Sequence, residues 1–392
     1  MKIAFLTIHP SSDKLAWSGL NDHIHKALEI AGAEVINISG FSAKPDLRLK
    51  LDYKFNHLLG KNIPYEFTKT YAKQYGHFAE NRLKEHIGFD AIITNKPSIV
   101  AYLKTSLPVF IYTDGTFRNL HNYYGHTSNM PNRYIAEADE VEKRGFEACK
   151  KAMFSSGWAA NSAMQHYKVP SDKTVVIQFG SNMDGIALSE WQTVFEEKMN
   201  KPLRLLLPAV EFNRKGGDIA VEALKILLAK GIDAKLVLVG MDIPETIQHI
   251  PELDHIPFIS KETMEGRQQM EGLFRDSHFL ILPTKMDCSP VVLSEAAVYG
   301  LPALASNLAG IPSVVEDGST GFLFPVDAGP EEYASRIIEI WTDKERYRTM
   351  AVNAFQRGSE LLNWKVAGGS ILKIISTALN PLLNAKHIET GY

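Results

Sequence analysis

The sequence lacks the features that mark secreted, zinc-binding or membrane-spanning proteins. Its only two cysteines, Cys149 and Cys288, lie far apart and in no ligand-like spacing, so neither a disulfide framework nor a zinc site is expected. No stretch approaches the ~18 apolar residues of a membrane span. The N-terminal MKIAFLTIHP lacks the longer apolar core and the cleavage site of a secretory signal. We therefore expect a cytoplasmic protein.

The sequence also lacks an excess of charge of one sign. Its 42 lysine and arginine residues nearly balance 45 aspartate and glutamate residues, which leaves a net charge of −3. Because no global basic field exists to hold a polyanion, nucleic acid is not expected as a partner. With 45% hydrophobic and 22% charged residues, the composition is that of a packed globular protein.

The length of 392 residues exceeds one ordinary core, because single cores stop growing near ~250–300 residues. Short apolar runs alternate with longer amphipathic ones, which predicts βαβ units and parallel sheets. The predicted strands form two series: KIAFLTI, EVINIS, DAIITN, PVFIYTD and TVVIQF, then LRLLLPA, KLVLVG, HFLILPT, PALASN and GFLFP.

This restart predicts two similar α/β domains, at residues 1–183 and 184–369, joined near 184–201. The tail from Glu331 has a helical pattern, and a last helix over Ser370–Leu379 is expected to end at Pro381. We expect residues 370–392 to pack back on the first domain.

The most informative stretch is LPTKMDCSPVVLSEAA at residues 282–297. A buried strand is predicted to end in a loop, and a helix begins near Pro290 with Ser289 or Asp287 as its cap. The amides of that helix start suit a phosphate at the carboxyl edge of a parallel sheet. Asp287 and Glu295 lie eight residues apart (295 − 287 = 8) and are interpreted as acceptors for sugar hydroxyls. On residue type alone, a capping Asp287 and a solvated Glu295 are favoured.

A second stretch, VEFNRKGGDIAVEA, presents Arg214 and Lys215 before two glycines and a predicted helix. Two cations in a loop after a strand can neutralise a diphosphate, and the glycines allow close approach of the backbone. An ordinary solvated turn is the alternative. The chain has no Walker loop and no GxGxxG after its first strand, so ATPase and NAD-dehydrogenase functions lose their main support.

Two loops of the first series are further candidates. Gly19 lies at the first strand–helix junction, where its backbone could approach a phosphate, although a lone glycine there is more often a turn. The strand PVFIYTD ends at Asp114, with Arg118 and His121 close behind. Ligands bind at this edge of α/β sheets, but a turn in which Asp114 caps the next helix is equally compatible.

Together these segments resemble the family 4 retaining glycosyltransferases, which belong to the glycosyl transferases group 1. The family signature, EGFxxxxxE followed by A-x-x-x-G-x-P, matches DCSPVVLSEAAVYGLPALAS at 287–306, and AGIPSVVEDGSTGFLF at 309–324 continues it. IQFGSNMD, LVLVG and LNWKVAG match further family segments. The resemblance implies the GT-B fold, an α/β architecture in which two Rossmann-like, doubly wound domains face each other across a cleft.

The resemblance implies retaining, metal-independent transfer of a hexosyl-type sugar from a nucleotide-diphosphate sugar to an acceptor hydroxyl, without a cofactor. A glycan or glycolipid of the cell surface would be the acceptor. Asp287 would hold sugar hydroxyls and Glu295 the ribose, while Lys215 and Arg214 would balance the diphosphate charge. Asp114 would complete the catalytic set, with His121 and Arg118 as acceptor or sugar candidates. The other implied donor contacts are Gly19, Cys288, Ser289, Pro290, Val291, Val292, Gly240 and Ile259.

Four positions depart from the family pattern. Asp287 replaces the first glutamate, Val210 stands where the family has an arginine, Asp114 stands where it has a histidine, and Ser313 replaces a glutamate. Two alternatives therefore stay open: a non-catalytic GT-B module that binds a nucleotide or glycan, and a nucleotide-sugar epimerase.

Residues 48–86 form a basic segment, with eight Lys/Arg and four Asp/Glu, a local charge of 8 − 4 = +4. Six aromatic residues are interleaved with these charges: Tyr53, Phe55, Tyr65, Phe67, Tyr71 and Tyr75. One hypothesis is a surface for an anionic membrane leaflet or a lipid-linked acceptor, which would place the protein at the inner face of the membrane. A solvated basic helix pair that covers the sheet is the somewhat favoured alternative.

Overall fold

The computed structural model describes residues 1–13 and 16–380, and the chain divides into two compact units. The first unit comprises Met1–Ile177 and the chain from Ala367 onward, and the second is Gln178–Val366. The sequence placed the corresponding boundaries after residues 183 and 369. Among the described residues, no helix has both the length and the apolar character needed to cross a membrane.

The first unit is a six-stranded parallel sheet with helices between its strands. Its strands are β1 Lys2–Leu6, β2 Glu34–Ile38, β3 Ala91–Thr94, β4 Val109–Thr113, β5 Lys151–Phe154 and β6 Thr174–Val176. Its helices are α1 Leu20–Ile30, α2 Leu47–Leu58, α3 Lys69–Lys84, α4 Pro97–Val100, α5 Phe117–Leu120, α6 Asn132–Ala148 and α7 Gly157–Tyr167. The strand order is β2-β1-β3-β4-β5-β6. Strands β3 and β4 are buried along their whole length, as expected when both faces of a parallel sheet are covered.

The second unit is a six-stranded parallel sheet of a different order, β12-β11-β10-β7-β8-β9. Its strands are β7 Leu203–Pro208, β8 Ala234–Val239, β9 Leu253–Ile256, β10 Phe279–Leu282, β11 Ala303–Ser306 and β12 Gly321–Phe324. Its helices are α8 Leu188–Lys198, α9 Gly217–Ala229, α10 Met264–Asp276, α11 Val291–Ala297, α12 Ile311–Val314, α13 Pro330–Thr342 and α14 Lys344–Glu360.

The C-terminal helix begins in one unit and continues in the other. It is α15, Trp364–Leu379, longer at its start than the predicted helix over 370–379. A Cβ atom on Gly368 would lie 2.2 Å from the Ala27 carbonyl oxygen, so α15 packs closely on α1. The predicted stop at Pro381, and the rest of the tail beyond Asn380, lie outside the described residues.

The segment predicted to join the domains is part of the second core. Residues 188–198 form α8, whose Trp191 and Phe195 are buried in the main apolar cluster of the second unit. The prediction of a linker near 184–201 is therefore wrong, because residues 188–198 form a helix that packs on the second core. Most polar residues of this helix lie on its exposed face, but Lys198 is buried.

The basic segment 48–86 forms two helices with different roles. Helix α3 buries Ala72, Tyr75 and Ala79, and the last two join the core under the sheet, as the covering-helix alternative predicts. Helix α2 buries only Leu49, which joins a separate small cluster with Phe67, Phe117 and Tyr134. The covering role therefore applies to α3 and is wrong for α2.

Candidate functional site

The second sheet has its topological switch point between β7 and β10. From β7 the chain moves outward through β8 and β9, then returns to β10 on the other side of β7. The loops that leave these two neighbouring strands diverge, which opens a crevice where open α/β sheets bind ligands. The loop after β7 carries Arg214 and Lys215, and the loop after β10 carries Asp287.

Lys215 and Asp287 form an ion pair across this switch point. The Lys215 ammonium donates to Asp287 Oδ2 at 2.6 Å, and the two side chains are only 12% and 13% exposed. The N-cap of α11 is Pro290, so the predicted cap position is held by neither Asp287 nor Ser289. The structure thus pairs the acid and the cation that the sequence treated in separate motifs.

Arg214 ties the same two loops together through its guanidinium and its carbonyl. Its Nη1 donates to the Met286 carbonyl oxygen at 2.7 Å, and its Nη2 donates to Glu211 at 2.7 Å. The Arg214 carbonyl oxygen accepts from the Lys285 amide at 2.8 Å. The hydrogen bond from Arg214 also holds the pKa of Glu211 below its ordinary value. Arg214 therefore fixes the loop that presents Lys215.

Gly216 is the contact point between the two loops. Its φ of +75° lies in the left-handed region, and a Cβ atom would lie 2.1 Å from the Pro283 carbonyl oxygen. A side chain here would be strained and would also collide with the backbone after β10. Glycine at this position lets Lys215 stand beside Asp287.

Glu295 is held by a second ion pair, between α11 and the loop after β9. Its side chain is 2% exposed, and its Oε1 accepts from Lys261 Nζ at 2.5 Å. A carboxylate at this depth needs such a partner, because an unpaired buried charge is strongly destabilising. The prediction of a solvated Glu295 is thus wrong on burial. The sequence analysis gave no partner for Glu295 and missed this pair.

The other implied donor contacts of the second unit surround these loops. Cys288 is buried, and its carbonyl oxygen accepts from the Gly310 amide at 2.8 Å. Val291 begins α11, one residue later than predicted, and Val292 packs against the main core. Gly240 directly follows β8 and has φ +84°, and Ile259 is buried in the loop after β9.

In the first unit, the loop before α1 contacts the end of β4. Trp17 Nε1 donates to Asp114 Oδ2 at 3.1 Å. Trp17, Ser18 and Gly19 have φ values of 50°, 54° and 74°, so three successive residues adopt left-handed conformations. Such a run is unfavourable for the two non-glycine residues and persists only where the surroundings hold it.

The residues after Asp114 are bound into the first unit. Thr116, not Asp114, caps α5 through a capping box with Asn119, so the predicted capping role of Asp114 is wrong. Arg118 forms a bidentate pair with Asp139, so its charge is already balanced. Burial, followed by the charge of Arg118, lowers the pKa of His121, and its Nε2 is buried without a hydrogen-bond partner.

Asn95, at the end of β3, is a polar residue that sequence reasoning missed. It is buried, and its Nδ2 donates to Asn21 Oδ1 at 2.9 Å. Strands β1 and β3 flank the switch point of the first sheet, so this amide pair lies where that sheet would bind a ligand. The position of Asn95 directly after an apolar strand, like that of Asp114, was the signal that could have identified it.

Among the described residues, no three or more His, Cys, Asp or Glu side chains gather into a group that could hold a metal ion. Val210, at the position of the family's arginine, is an exposed side chain. Lys215 pairs with Asp287, and Arg214 contacts the carbonyl oxygen of the preceding residue, Met286.

Comparison with known proteins adds family and fold to this geometry. Residues 204–343 match the sequence model of the family described as glycosyl transferases group 1. The chain is 23% identical over 289 residues to a D-inositol 3-phosphate glycosyltransferase from Streptomyces avermitilis. That alignment covers 70% of this chain and 61% of the relative, so this chain spans less than two thirds of the relative's length.

Three solved structures are similar over almost the whole chain. A sucrose-phosphate synthase from Thermosynechococcus elongatus has a TM-score of 0.69 at 16% identity and covers 96% of this chain and 98% of that one. A glycosyltransferase from Rickettsia africae has a TM-score of 0.67 at 18% identity, with the same coverage of 96% of this chain and 98% of that one. Anabaena Alr3699/HepE, solved in complex with UDP-glucose, has a TM-score of 0.61 at 16% identity and covers 96% of this chain and 100% of that one.

The predicted fold and family are confirmed by these comparisons. The solved structures show the GT-B fold, in agreement with two six-stranded parallel sheets in an α/β arrangement. The predicted resemblance to the glycosyl transferases group 1 is confirmed over the matched segment 204–343. This segment contains Lys215, Asp287 and Glu295. The family number 4, retention of configuration and the individual residue roles stay predictions.

Proposed function

We propose that this protein is a family 4 retaining glycosyltransferase that moves a hexosyl-type sugar from a nucleotide-diphosphate sugar to an acceptor hydroxyl. The observation that carries the proposal is the Lys215–Asp287 pair, 2.6 Å long, at the switch point of the second sheet. Membership of residues 204–343 in the glycosyl transferases group 1 supports it. So does the similarity to a relative named as a glycosyltransferase and to a neighbour solved with UDP-glucose.

In this proposal, the two cations stabilise the leaving group. The bond between the anomeric carbon and the diphosphate oxygen breaks, and negative charge develops on that oxygen. Lys215 and Arg214 lie on one rigid loop, so their charges are fixed before the reaction and need no reorganisation in the transition state. They supply the positive charge, and we therefore propose that no metal or cofactor takes part.

Asp287 has two partners in succession. Before the donor binds, it neutralises Lys215 in a site where both side chains are mostly buried. When the donor diphosphate binds the Lys215 ammonium in place of Asp287, the Asp287 carboxylate can accept hydrogen bonds from sugar hydroxyls. The backbone of residues 288–292 would bind the sugar and the diphosphate. Glu295 would bind the ribose, and the loops at Gly240 and Ile259 would contact the base.

The acceptor side of the proposal belongs to the first unit. Asp114 is the catalytic candidate there, with Arg118 and His121 as contacts to acceptor or sugar, and Gly19 approaches the phosphate. The acceptor hydroxyl would attack on the face from which the diphosphate leaves, and its proton would pass to the departing phosphate oxygen. A glycan or glycolipid made in the cytoplasm is the proposed product. Membrane contact is a separate proposal, because it depends on α2 and not on the donor site.

The second candidate is a GT-B module that binds a nucleotide or glycan without turnover. It is motivated by the shorter acid Asp287 and by Val210 in place of an arginine. The two candidates share donor binding and differ only in chemistry.

The test is a donor panel in two stages. Thermal unfolding is measured with UDP, GDP, ADP, CMP and dTDP sugars, because a ligand that binds only the folded state raises the midpoint. The stabilising donor is then incubated with the protein, and release of nucleotide and the anomeric configuration of the product are followed by NMR. Turnover with retention supports the enzyme. Stabilisation without any turnover supports the binding module, and an inverted product overturns the retaining mechanism.

A further inference from the structure

Helix α2 presents an apolar stripe to solvent. Four of its side chains, Leu47, Leu51, Phe55 and Leu58, are between 59% and 85% exposed. Their spacing of four, four and three residues places them within about 80° of one another on an α-helix. Leu59, just beyond the helix, is also exposed and extends the stripe. Single exposed apolar residues are common, but a continuous stripe marks an interaction surface.

The stripe faces away from the core because the opposite side of α2 is anchored. Leu49 is buried in the small apolar cluster. Asp52 accepts from the Tyr134 hydroxyl at 2.8 Å and from Arg133 at 3.0 Å. Asp46 caps the helix by accepting from the Leu49 amide at 2.8 Å. These contacts fix the rotation of α2, so the stripe is a property of the folded chain rather than of a frayed segment.

Basic side chains flank the stripe on both sides. Lys50 and Lys54 lie along one edge and Arg48 along the other, by the helical period, and all three are exposed. Apolar residues along the centre of a helix with cations at its edges match the interface of an anionic lipid bilayer, where acyl chains lie beneath negative head groups. We propose that α2 docks this protein in the plane of an anionic membrane.

The structure changes the surface that the sequence suggested. Of the six aromatic residues in the basic segment, Phe67 and Tyr75 are buried, and Tyr65 stacks on Tyr71 with ring centroids 5.4 Å apart. The aromatic interleaving therefore serves mostly internal packing. The lipid-facing residues are the leucines of α2 together with Phe55.

Docking through α2 also suits an acceptor held in the membrane. The cluster that anchors Leu49 contains Phe117, the first residue of α5, whose ring centroid lies 5.1 Å from that of Phe67. Asp114 comes three residues before Phe117. One small apolar cluster therefore joins the lipid-facing helix to the loop proposed to meet the acceptor. The docking proposal itself does not depend on the proposed transfer reaction.

The experiment is co-sedimentation of the full chain with vesicles. Phosphatidylcholine vesicles containing about 30% phosphatidylglycerol are compared with pure phosphatidylcholine vesicles, at low and high salt. The test variant is Leu51→Gln with Phe55→Gln. The matched control is Ile30→Gln with Ile87→Gln, which removes two other exposed apolar side chains of the same unit. A third variant, Lys50→Gln with Lys54→Gln, removes two of the cations.

We expect binding to the anionic vesicles only, with a loss of at least about tenfold in the L51Q/F55Q variant and none in the control. The lysine variant should lose about fivefold per residue at low salt and less at high salt. All three variants change exposed side chains, so unchanged thermal unfolding is expected for each.

Several results would overturn the proposal. No sedimentation of the unchanged protein, or an equal loss in the control variant, would remove the stripe as a membrane surface. Equal binding to both vesicle types would overturn the anionic preference. Sedimentation equilibrium in which L51Q/F55Q converts a dimer to a monomer, without vesicle binding, would assign the stripe to a contact between copies. Donor turnover by L51Q/F55Q, measured without vesicles, reports on the proposed reaction independently.

Discussion

The two units have the same kind of sheet but organise its carboxyl edge differently. In the second unit, the strands at the switch point are joined by charges, with Lys215 paired to Asp287 and the neighbouring Lys261 paired to Glu295. In the first unit, the corresponding contacts are two hydrogen bonds. The Trp17 indole donates to Asp114, and the Asn95 carboxamide donates to that of Asn21. Fixed charge suits recognition of a diphosphate, whose own charge does not vary. Hydrogen bonds of this kind suit hydroxyl-rich ligands, which differ from one acceptor to the next.

The order of the strands reinforces this difference. When the strands of the second sheet are renumbered from 1, with β7 as strand 1, their order from the β9 edge is 3-2-1-4-5-6. This is the strand order of dinucleotide-binding domains. The strand order of the first sheet is 2-1-3-4-5-6. The nucleotide-type order thus coincides with the paired cations and acids. If the proposed function is right, donor recognition depends on preformed ion pairs in the second unit, whereas the first unit contributes hydrogen bonds from an indole and a carboxamide.

The largest expected effect comes from removing Lys215. Lys215→Ala should lower donor turnover by about 10²–10³-fold, because it removes a preorganised cation from the leaving group. The matched control is Lys225→Ala, which removes an exposed lysine of α9 paired with Glu222 and should change turnover little. The rates are measured with saturating donor. Full turnover in the Lys215 variant would show that the charge of the second unit is not catalytic.

The stability of the two units should also change with pH in opposite directions. Burial raises the pKa of Glu142 in the first unit from 4.5 to about 8. The folded chain then holds a proton that the unfolded chain releases, so this stabilisation is lost as pH rises from about 4.5 to 8. In the second unit, burial lowers the pKa of Lys198 from 10.5 to about 7 and that of His278 from 6.5 to about 3. Their contributions are present at high pH and are lost as pH falls through those lower values.

Hydrogen exchange resolves these slopes unit by unit. Each group contributes at most about 1.4 kcal/mol of stability per pH unit. Glu142→Gln should reduce the decrease in the stability of the first unit between about pH 4.5 and 8. Lys198→Met should reduce the increase in the stability of the second unit between about pH 7 and 10.5. Parallel slopes in the two units would contradict the expectation.

A smaller effect is expected from Lys261. Lys261→Ala leaves the buried Glu295 carboxylate without its ammonium partner, so we expect a loss of about 1–3 kcal/mol in the free energy of unfolding and weaker nucleotide binding. The control is Lys285→Ala, whose partner Asp218 is about half exposed and whose loss should cost about 0–1 kcal/mol. Denaturant unfolding with and without the nucleotide measures both. Equal losses in the two variants would show that burial of Glu295 is unimportant.

The smallest effect is expected at the carboxyl edge of the first sheet. Trp17→Phe keeps an aromatic ring but removes the hydrogen bond to Asp114, worth about 0.5–1.5 kcal/mol. We expect the acceptor KM to rise about two- to tenfold, while donor hydrolysis without acceptor stays unchanged. Steady-state kinetics with each substrate varied in turn separate the two. A change in donor hydrolysis alone would reverse the roles assigned to the units.

The periodic patterns predicted most of the fold because buried parallel strands are nearly continuous apolar runs. Strands β5, KAMF, and β9, LDHI, were missed. The first begins with a lysine and an alanine, and the second is a half-polar edge strand, so neither forms such a run. The helix at 188–198 was missed because Trp191 and Phe195 are its only large buried apolar residues, too few to reveal a helical period.

The candidate residues were predictable, but their partners were not. Asp287 and Lys215 could be proposed from separate motifs, yet their pairing depends on β7 lying beside β10, a relation between strands 71 residues apart (279 − 208). Arg118 illustrates the converse case. Its sequence context near Asp114 made it an acceptor candidate, whereas the fold commits its guanidinium to Asp139 on α6. Local sequence specifies which groups are present, and the tertiary fold decides which of them are already satisfied.

The two chain segments at the start and the end of the second unit lie next to each other. The Ser181 amide donates to the Leu362 carbonyl oxygen at 2.9 Å, and Gly180 packs so closely on Trp364 that a Cβ atom would lie 2.3 Å from its backbone nitrogen. The chain therefore enters and leaves residues 178–366 through adjacent points, as an inserted cassette does. Exchanging this cassette between related proteins needs only two neighbouring splice sites, and under the proposed function such an exchange would change the donor preference while the acceptor preference stays the same.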